Sequence, residues 1–143
     1  MTEVGSFFRA PTAEVFAYLA DPRNRPQWQS SLRAVEMIDD GEVAAGMRWR
    51  DITAIPGVRP TMVITECTPY RVWSERGTWG GVSADLCLRF TQTKQGTKVL
   101  AQVAVTAQGP WRLAGGLALR LAPTALKADL DRAAVIVAAR SQR

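Results

Sequence analysis

Two carboxylates, Glu75 and Asp51, are the side chains of this sequence best placed to do chemistry. Glu75 is flanked at two-residue spacing by Trp73 and Gly77, and Asp51 by Trp49 and Thr53, so each shares a strand face with a tryptophan. A carboxylate held among apolar side chains costs several kcal/mol unless it is paired, hydrogen-bonded or protonated. Glu75 is therefore expected to be half of a structural ion pair or the polar anchor of a ligand cavity. Its partner depends on one turn. Taken as a four-residue loop, Pro56-Gly57-Val58-Arg59 turns Trp49, Asp51 and Thr53 inward; a bulge or a different loop turns Arg50 inward and gives Glu75 a cation. In the first case two carboxylates share one cavity, and such a pair can separate into an acid of raised pKa and an ionised base. Glu66, beside the Pro69-Tyr70 turn, falls on the same face and is expected at a rim, reaching water or an arginine.

The rest of the usual catalytic inventory is missing. The chain has no histidine, which removes imidazole acid/base chemistry, Ser-His-Asp triads and the common zinc and haem ligand sets. Cys67 and Cys87 have no C-x-x-C spacing and read as reduced, small apolar residues. No metal and no cofactor are expected.

The elements that must position the carboxylates follow from periodicity. Glu3 to Arg9 reads as a strand. Pro11 and Thr12 open a helix whose apolar face is Val15, Phe16 and Leu19, and Asp21-Pro22 ends it. A short second helix, Asn24 to Gln29, carries Trp28. Period-two segments then occupy 32–39, 47–55, 61–68, 71–79, 82–92 and 97–106, separated by turn signals, which describes an antiparallel meander. From Trp111 to about Arg140 the pattern is one long helix, roughly 45 Å at 1.5 Å per residue, which Pro123 should bend or divide. One sheet with one apolar face and one helix large enough to cover it makes an α+β architecture.

Turn lengths set the faces. A two-residue Gly80-Gly81 loop pairs Glu75 with Leu86 and Trp73 with Leu88; a two-residue Pro69-Tyr70 loop pairs Glu75 with Ile64 and Trp73 with Glu66. The inward face then holds Met62, Ile64, Trp73, Glu75, Trp79, Leu86, Leu88, Phe90 and Val103. With Trp28 and Trp49, and with Leu117 and Leu121 of the long helix, these are the candidate lining of a pocket. The helix is rich in small residues such as Ala114, Gly115, Ala118 and Ala122. Small side chains facing a tryptophan-rich curved sheet leave room for a ligand; the same residues otherwise fill a core or raise helix propensity.

Composition agrees with one domain. The chain has 143 residues, 47% hydrophobic and 22% charged, long enough to bury a core. No run of about 18 apolar residues is present, so no transmembrane segment is expected, and Met1 to Gly5 lacks the pattern of a signal peptide, so a cytoplasmic location is expected. The net charge of +5 is mostly arginine, scattered from Arg9 to Arg143 and not gathered into a patch, so nucleic acid is not expected as a partner. Self-association as a weak homodimer is left open.

The stretch Ala10-Pro11-Thr12-Ala13-Glu14-Val15-Phe16-Ala17-Tyr18-Leu19-Ala20-Asp21-Pro22, followed by Pro26-Gln27-Trp28, resembles the opening of the polyketide cyclase/dehydrase and lipid-transport group of the START/birch-pollen-allergen (SRPBCC) superfamily. Gly46-Met47-Arg48-Trp49, the Glu66-Cys67-Thr68-Pro69-Tyr70-Arg71 turn, Gly96-Thr97-Lys98-Val99 and Leu126-Lys127-Ala128-Asp129-Leu130 resemble the same group. The resemblance covers essentially the whole chain. It implies a helix-grip fold: a curved seven-stranded antiparallel sheet wrapped over a long C-terminal helix, with two short helices after the first strand. It also implies relatives that include aromatase/cyclases, coenzyme-Q-binding proteins and lipid carriers.

Three functions follow as expectations. The first is binding of an apolar or aromatic small molecule (a lipid, an isoprenoid or a polyketide-like compound), with Glu75 and either Asp51 or Arg50 orienting its polar end. The second is a cyclase/dehydratase that relies on Glu75 or Asp51 for acid/base work. The third is a protein-interaction or regulatory module, whose local support is the basic runs Pro22-Arg23-Asn24-Arg25 and Arg48-Trp49-Arg50.

Overall fold

The computed structural model describes residues 2–142, and the side chains of all of these except 111–122. Strand β1 (Thr2–Phe8) is followed by helix α1 (Thr12–Ala20), a 3₁₀ turn (Pro22–Asn24) and the single-turn helix α2 (Arg25–Trp28). Six strands come next: β2 (Leu32–Met37), β3 (Arg48–Thr53), β4 (Thr61–Thr68), β5 (Val72–Trp79), β6 (Val82–Gln92) and β7 (Thr97–Ala107). Helix α3 (Arg112–Ser141) closes the chain. The seven strands form one antiparallel sheet in the order β1-β7-β6-β5-β4-β3-β2, the predicted meander with β1 returned to the edge of β7.

Helix α3 runs as one element through Pro123. The proline removes one hydrogen bond from the ladder without dividing the helix. Beyond it, Leu126, Leu130, Ala133 and Val137 recur at helical spacing and pack in the core. Full burial of such an aliphatic side chain contributes about 1.5–3 kcal/mol, so this stripe is what holds the helix across the sheet. Ser6 Oγ on β1 donates to Asp131 Oδ1 on α3 at 2.9 Å, tying the edge strand to the same helix. Helix α1 buries Val15, Phe16 and Leu19, and the Phe16 ring meets Phe90 of β6 edge-on at 5.1 Å.

The strand register is as informative as the topology. Glu75 lies opposite Leu86 and Trp73 opposite Leu88, as the turn length predicts, and Phe90, Leu88 and Leu86 lie opposite Val99, Ala101 and Val103, as the matching of apolar residues predicts. The β4–β5 hairpin differs near its tip. Thr68 pairs with Val72, so the loop has three residues, and Tyr70 enters the left-handed region at φ 68° to close it. A bulge between Ile64 and Glu66 then restores the parity. Inside the bulge Ile64 still meets Glu75; outside it Cys67, not Glu66, lies opposite Trp73. Glu66 is exposed on the outer face, so its expected inward position is corrected by one residue of bulge.

The β3–β4 connection is longer than four residues: Trp49 pairs with Met62 and Arg50 with Thr61. This register differs from the four-residue loop by an even number, and an even slip preserves faces. Trp49 and Asp51 point inward and are buried, while Arg50 lies outside, against Glu36 at 3.4 Å.

Candidate functional site

The side chain that satisfies Glu75 is Arg25. It stands on α2, in the segment Arg25-Pro26-Gln27-Trp28-Gln29, where residues one turn apart share a face. Arg25, Trp28 and Gln29 are therefore presented together to the sheet. Arg25 is only 2% exposed, against 5% for Glu75. Arg25 Nη1 donates to Glu75 Oε1 at 3.0 Å and Nη2 donates to Glu75 Oε2 at 2.8 Å, a bidentate fork, while Nη1 also donates to Gln29 Oε1 at 2.8 Å. The guanidinium carbon lies 5.1 Å from the Trp28 ring centroid and 5.3 Å from that of Trp73. Two indoles thus cover a buried cation that a buried carboxylate neutralises.

Asp51 completes the charged group. Its Oδ1 accepts a hydrogen bond from Trp49 Nε1 at 2.9 Å. Burial pushes its carboxyl up to about 6; Arg25 pulls it down, Glu75 pushes it further up, and the Trp49 hydrogen bond pulls it down. Arg25 goes the other way: burial opposes its charge, but the attraction of Glu75, and more weakly of Asp51 and Asp129, holds the guanidinium above its ordinary value.

An acid whose pKa rises on folding binds its proton more tightly in the native state. Asp51 therefore favours folding most below its unfolded value near 4, and that contribution is lost as the pH climbs through about 6. The full loss is about 3 kcal/mol, at 1.36 kcal/mol for each pH unit. Unfolding free energies of the wild type and Asp51→Asn, compared from pH 4 to 7, are expected to shift progressively in favour of the asparagine variant. A constant difference across that range would show that Asp51 titrates as it does in the unfolded chain.

Around this group the structure opens into two adjoining compartments. One, about 250 Å³, lies between the sheet and α3; its lining includes Trp28, Ser31, Ala125, Leu126 and Asp129. The other, about 240 Å³, is walled by Asp51, Pro60, Met62, Trp79, Val82 and Ala84, among others. Arg25, Gln29, Glu75, Leu86 and Val103 border both.

Of the sequence-predicted lining, Trp28, Met62, Glu75, Trp79, Leu86 and Val103 border these compartments, with Trp79 at 36% exposure on the outer rim. Trp49, Ile64, Trp73, Leu88 and Phe90 are buried in the core behind them. Leu117 and Leu121, like Trp111 and the small residues from Ala114 to Ala122, concern side chains outside the described residues. Arg25, Gln29 and Asp129 are the site residues that sequence reasoning missed. The basic run that contains Arg25 reads there as solvated, and its signal was the same-face spacing of Arg25, Trp28 and Gln29. Both basic runs are in fact locally neutralised: Arg23 pairs with Asp21, Arg25 with Glu75, Arg48 with Asp39 and Arg50 with Glu36. Among the described residues no cluster of His, Cys, Asp or Glu is set to hold a metal ion. No helix formed by them is long and apolar enough to cross a membrane.

A sequence profile described as polyketide cyclase/dehydrase and lipid transport matches residues 3–142. The chain belongs to that family. Its fold is shared with the di-domain ARO/CYC StfQ of the steffimycin biosynthetic pathway, at a TM-score of 0.79 and 15% identity. That match covers 99% of this chain and 52% of StfQ, so the chain spans about half the length of that relative. Ara h 8.0201 is similar at a TM-score of 0.73 and 12% identity, over 96% of this chain and 97% of its own. Protein MLL2253 of Mesorhizobium loti is similar at 0.71 and 17%, over 98% and 97%. These likenesses establish the helix-grip fold. No curated protein sequence matches the chain.

Proposed function

We propose that this protein binds an apolar or aromatic small molecule, of lipid, isoprenoid or polyketide-like chemistry, in the space between the curved sheet and helix α3. The observation that carries the reading is the pair of adjoining compartments in which apolar side chains such as Trp28, Met62, Leu86, Val103 and Leu126 share the wall with the Arg25–Glu75–Asp51 group. A concave site that combines apolar wall with placed polar groups is the usual form of a small-molecule site. The family description and the ARO/CYC relative support the same class of ligand. A cytoplasmic setting fits the two free thiols, Cys67 and Cys87.

The role first given to Glu75 changes with its environment. Both its oxygens are engaged by Arg25, so it serves this reading as a pin that holds α2 against β5 and shapes both compartments. A second reading, a cyclase/dehydratase-like enzyme, is favoured by one feature: Asp51 borders the cavity with a carboxyl raised to about 6, within reach of proton exchange near neutral pH.

Native mass spectrometry of the protein purified from its own host, with organic extraction, separates these readings. A stoichiometric apolar compound is the expected result, and its return unchanged after incubation would end the enzymatic reading. A protein that emerges empty and shows no thermal shift against a lipid and polyketide panel would overturn the binding role.

A further inference from the structure

The cavity wall contains donors and acceptors, but few of them are available. Arg25 is the cation that borders both compartments, and its charge is already matched. Its two terminal nitrogens serve Glu75 and Gln29 and its faces lie against Trp28 and Trp73. Its Nε and the indole nitrogens of Trp28 and Trp73 are buried without a hydrogen-bond partner. Glu75 has both oxygens on Arg25, and Asp85, at the edge of the second compartment, forks onto Arg76 outside. Asp129, in the other compartment, accepts from the Ser30 backbone N–H at 3.2 Å and lies 3.7 Å from Arg132.

Asp51 differs from all of these. It is 5% exposed and borders the second compartment beside Met62 and Trp79. Oδ1 accepts from Trp49, whereas Oδ2 accepts no hydrogen bond from the described residues and is not among the enclosed atoms. The Arg25–Glu75 pair is neutral as a unit, so Asp51 supplies the uncompensated charge of this compartment.

We propose that Asp51 Oδ2 is the anchor for the ligand's polar end, and that the cavity selects molecules whose polar end donates a hydrogen bond, a hydroxyl or an ammonium, over the carboxylate of the same skeleton. This rests on the small-molecule reading above and adds its specificity. A hydroxyl or ammonium gives its proton to Oδ2, and the ammonium gains charge assistance as well. A carboxylate instead meets Asp51 as a like charge, and Arg25, its natural receptor, already has its charge neutralised by Glu75. The buried arginine therefore does not make this a fatty-acid site.

The test is a matched set: 3-phenylpropan-1-ol, 3-phenylpropylammonium, 3-phenylpropionate and propylbenzene, titrated calorimetrically at pH 7.5 into the wild type, Asp51→Asn and Asp51→Ala. The alcohol or the amine is expected to bind at least about tenfold more tightly than the carboxylate and propylbenzene, the advantage that one good polar contact gives. An advantage confined to the amine assigns the anchor to ammonium, and an equal one assigns it to hydroxyl. Asp51→Ala should abolish either preference and leave propylbenzene bound as before, and Asp51→Asn should abolish the amine's. Equal binding of alcohol, amine and propylbenzene, unaffected by the variants, would overturn the anchor while leaving an apolar cavity. Tightest binding of the carboxylate would overturn it in favour of an opened Arg25. If none of the four binds, the anchor and the cavity reading are both overturned.

Discussion

Glu75→Gln is expected to destabilise the protein by about 3–5 kcal/mol, although the side chain keeps its size and shape. The reason is the residue left behind. Arg25 is 2% exposed and stacked between two indoles, and Glu75 meets it with both oxygens. Glutamine offers one acceptor and no charge, so a buried cation loses its counter-ion. Denaturant unfolding at pH 7 measures the loss directly, and a change under about 1 kcal/mol would mean that Arg25 reaches solvent, as an exposed pair does. The double variant Arg25→Met, Glu75→Leu gives the complementary expectation. Removing both charges leaves packed apolar groups, and stability should recover to near the wild type. Asp51 reports on the same event: with the Glu75 charge gone, its carboxyl should titrate lower, since a repulsive neighbour is lost and Arg25 turns to it.

Trp73→Ala is the second large effect, again about 3–5 kcal/mol. Trp73 is fully buried, lies opposite Leu88 on one side and Cys67 on the other, and forms one of the two faces covering Arg25. Alanine leaves a void that β-strands on both sides hold open, since each is fixed by its own ladder. The void has the shape of an indole. Adding free indole should therefore raise the melting temperature of the variant more than that of the wild type, by mass action on the folded state. Equal shifts in the two proteins would indicate that the core has collapsed into the space.

The contrast between these residues and Glu66 explains what the sequence could disclose. Alternation along β5 and β6 and the tight Gly80-Gly81 hairpin specify every pair from Trp73–Leu88 to Trp79–Val82, because a two-residue loop leaves no freedom of register. Glu66 lies past a bulge and a three-residue loop that offset each other, and no residue type marks a bulge when Tyr70 rather than glycine takes the left-handed position. Asp51 was legible only up to parity: the loop length was wrong by an even number, which spares the face and alters the pairing. Arg25 was out of reach for another reason. Its partner is 50 residues away, and periodicity describes which way a side chain points within an element but not which element it meets. The demand was visible in Glu75, a carboxylate that needed a cation; the supply was not.

The sheet order sets a constraint on how the chain can be made. β1 pairs only with β7, Thr2 opposite Val103, so the first strand has no neighbour until about a hundred further residues exist. At synthesis rates of roughly 5–20 residues per second, that wait is about 5–20 s. Val4 and Phe8, buried in the finished molecule, spend this interval without their sheet partners, and α3, which covers the same face, emerges later still. Hairpins β4–β5 and β5–β6 can pair as they leave the ribosome, whereas β1 must wait for β7. Nascent β1 is thus the strand that waits longest for its sheet partner, because the two ends of the chain must meet before it can pair.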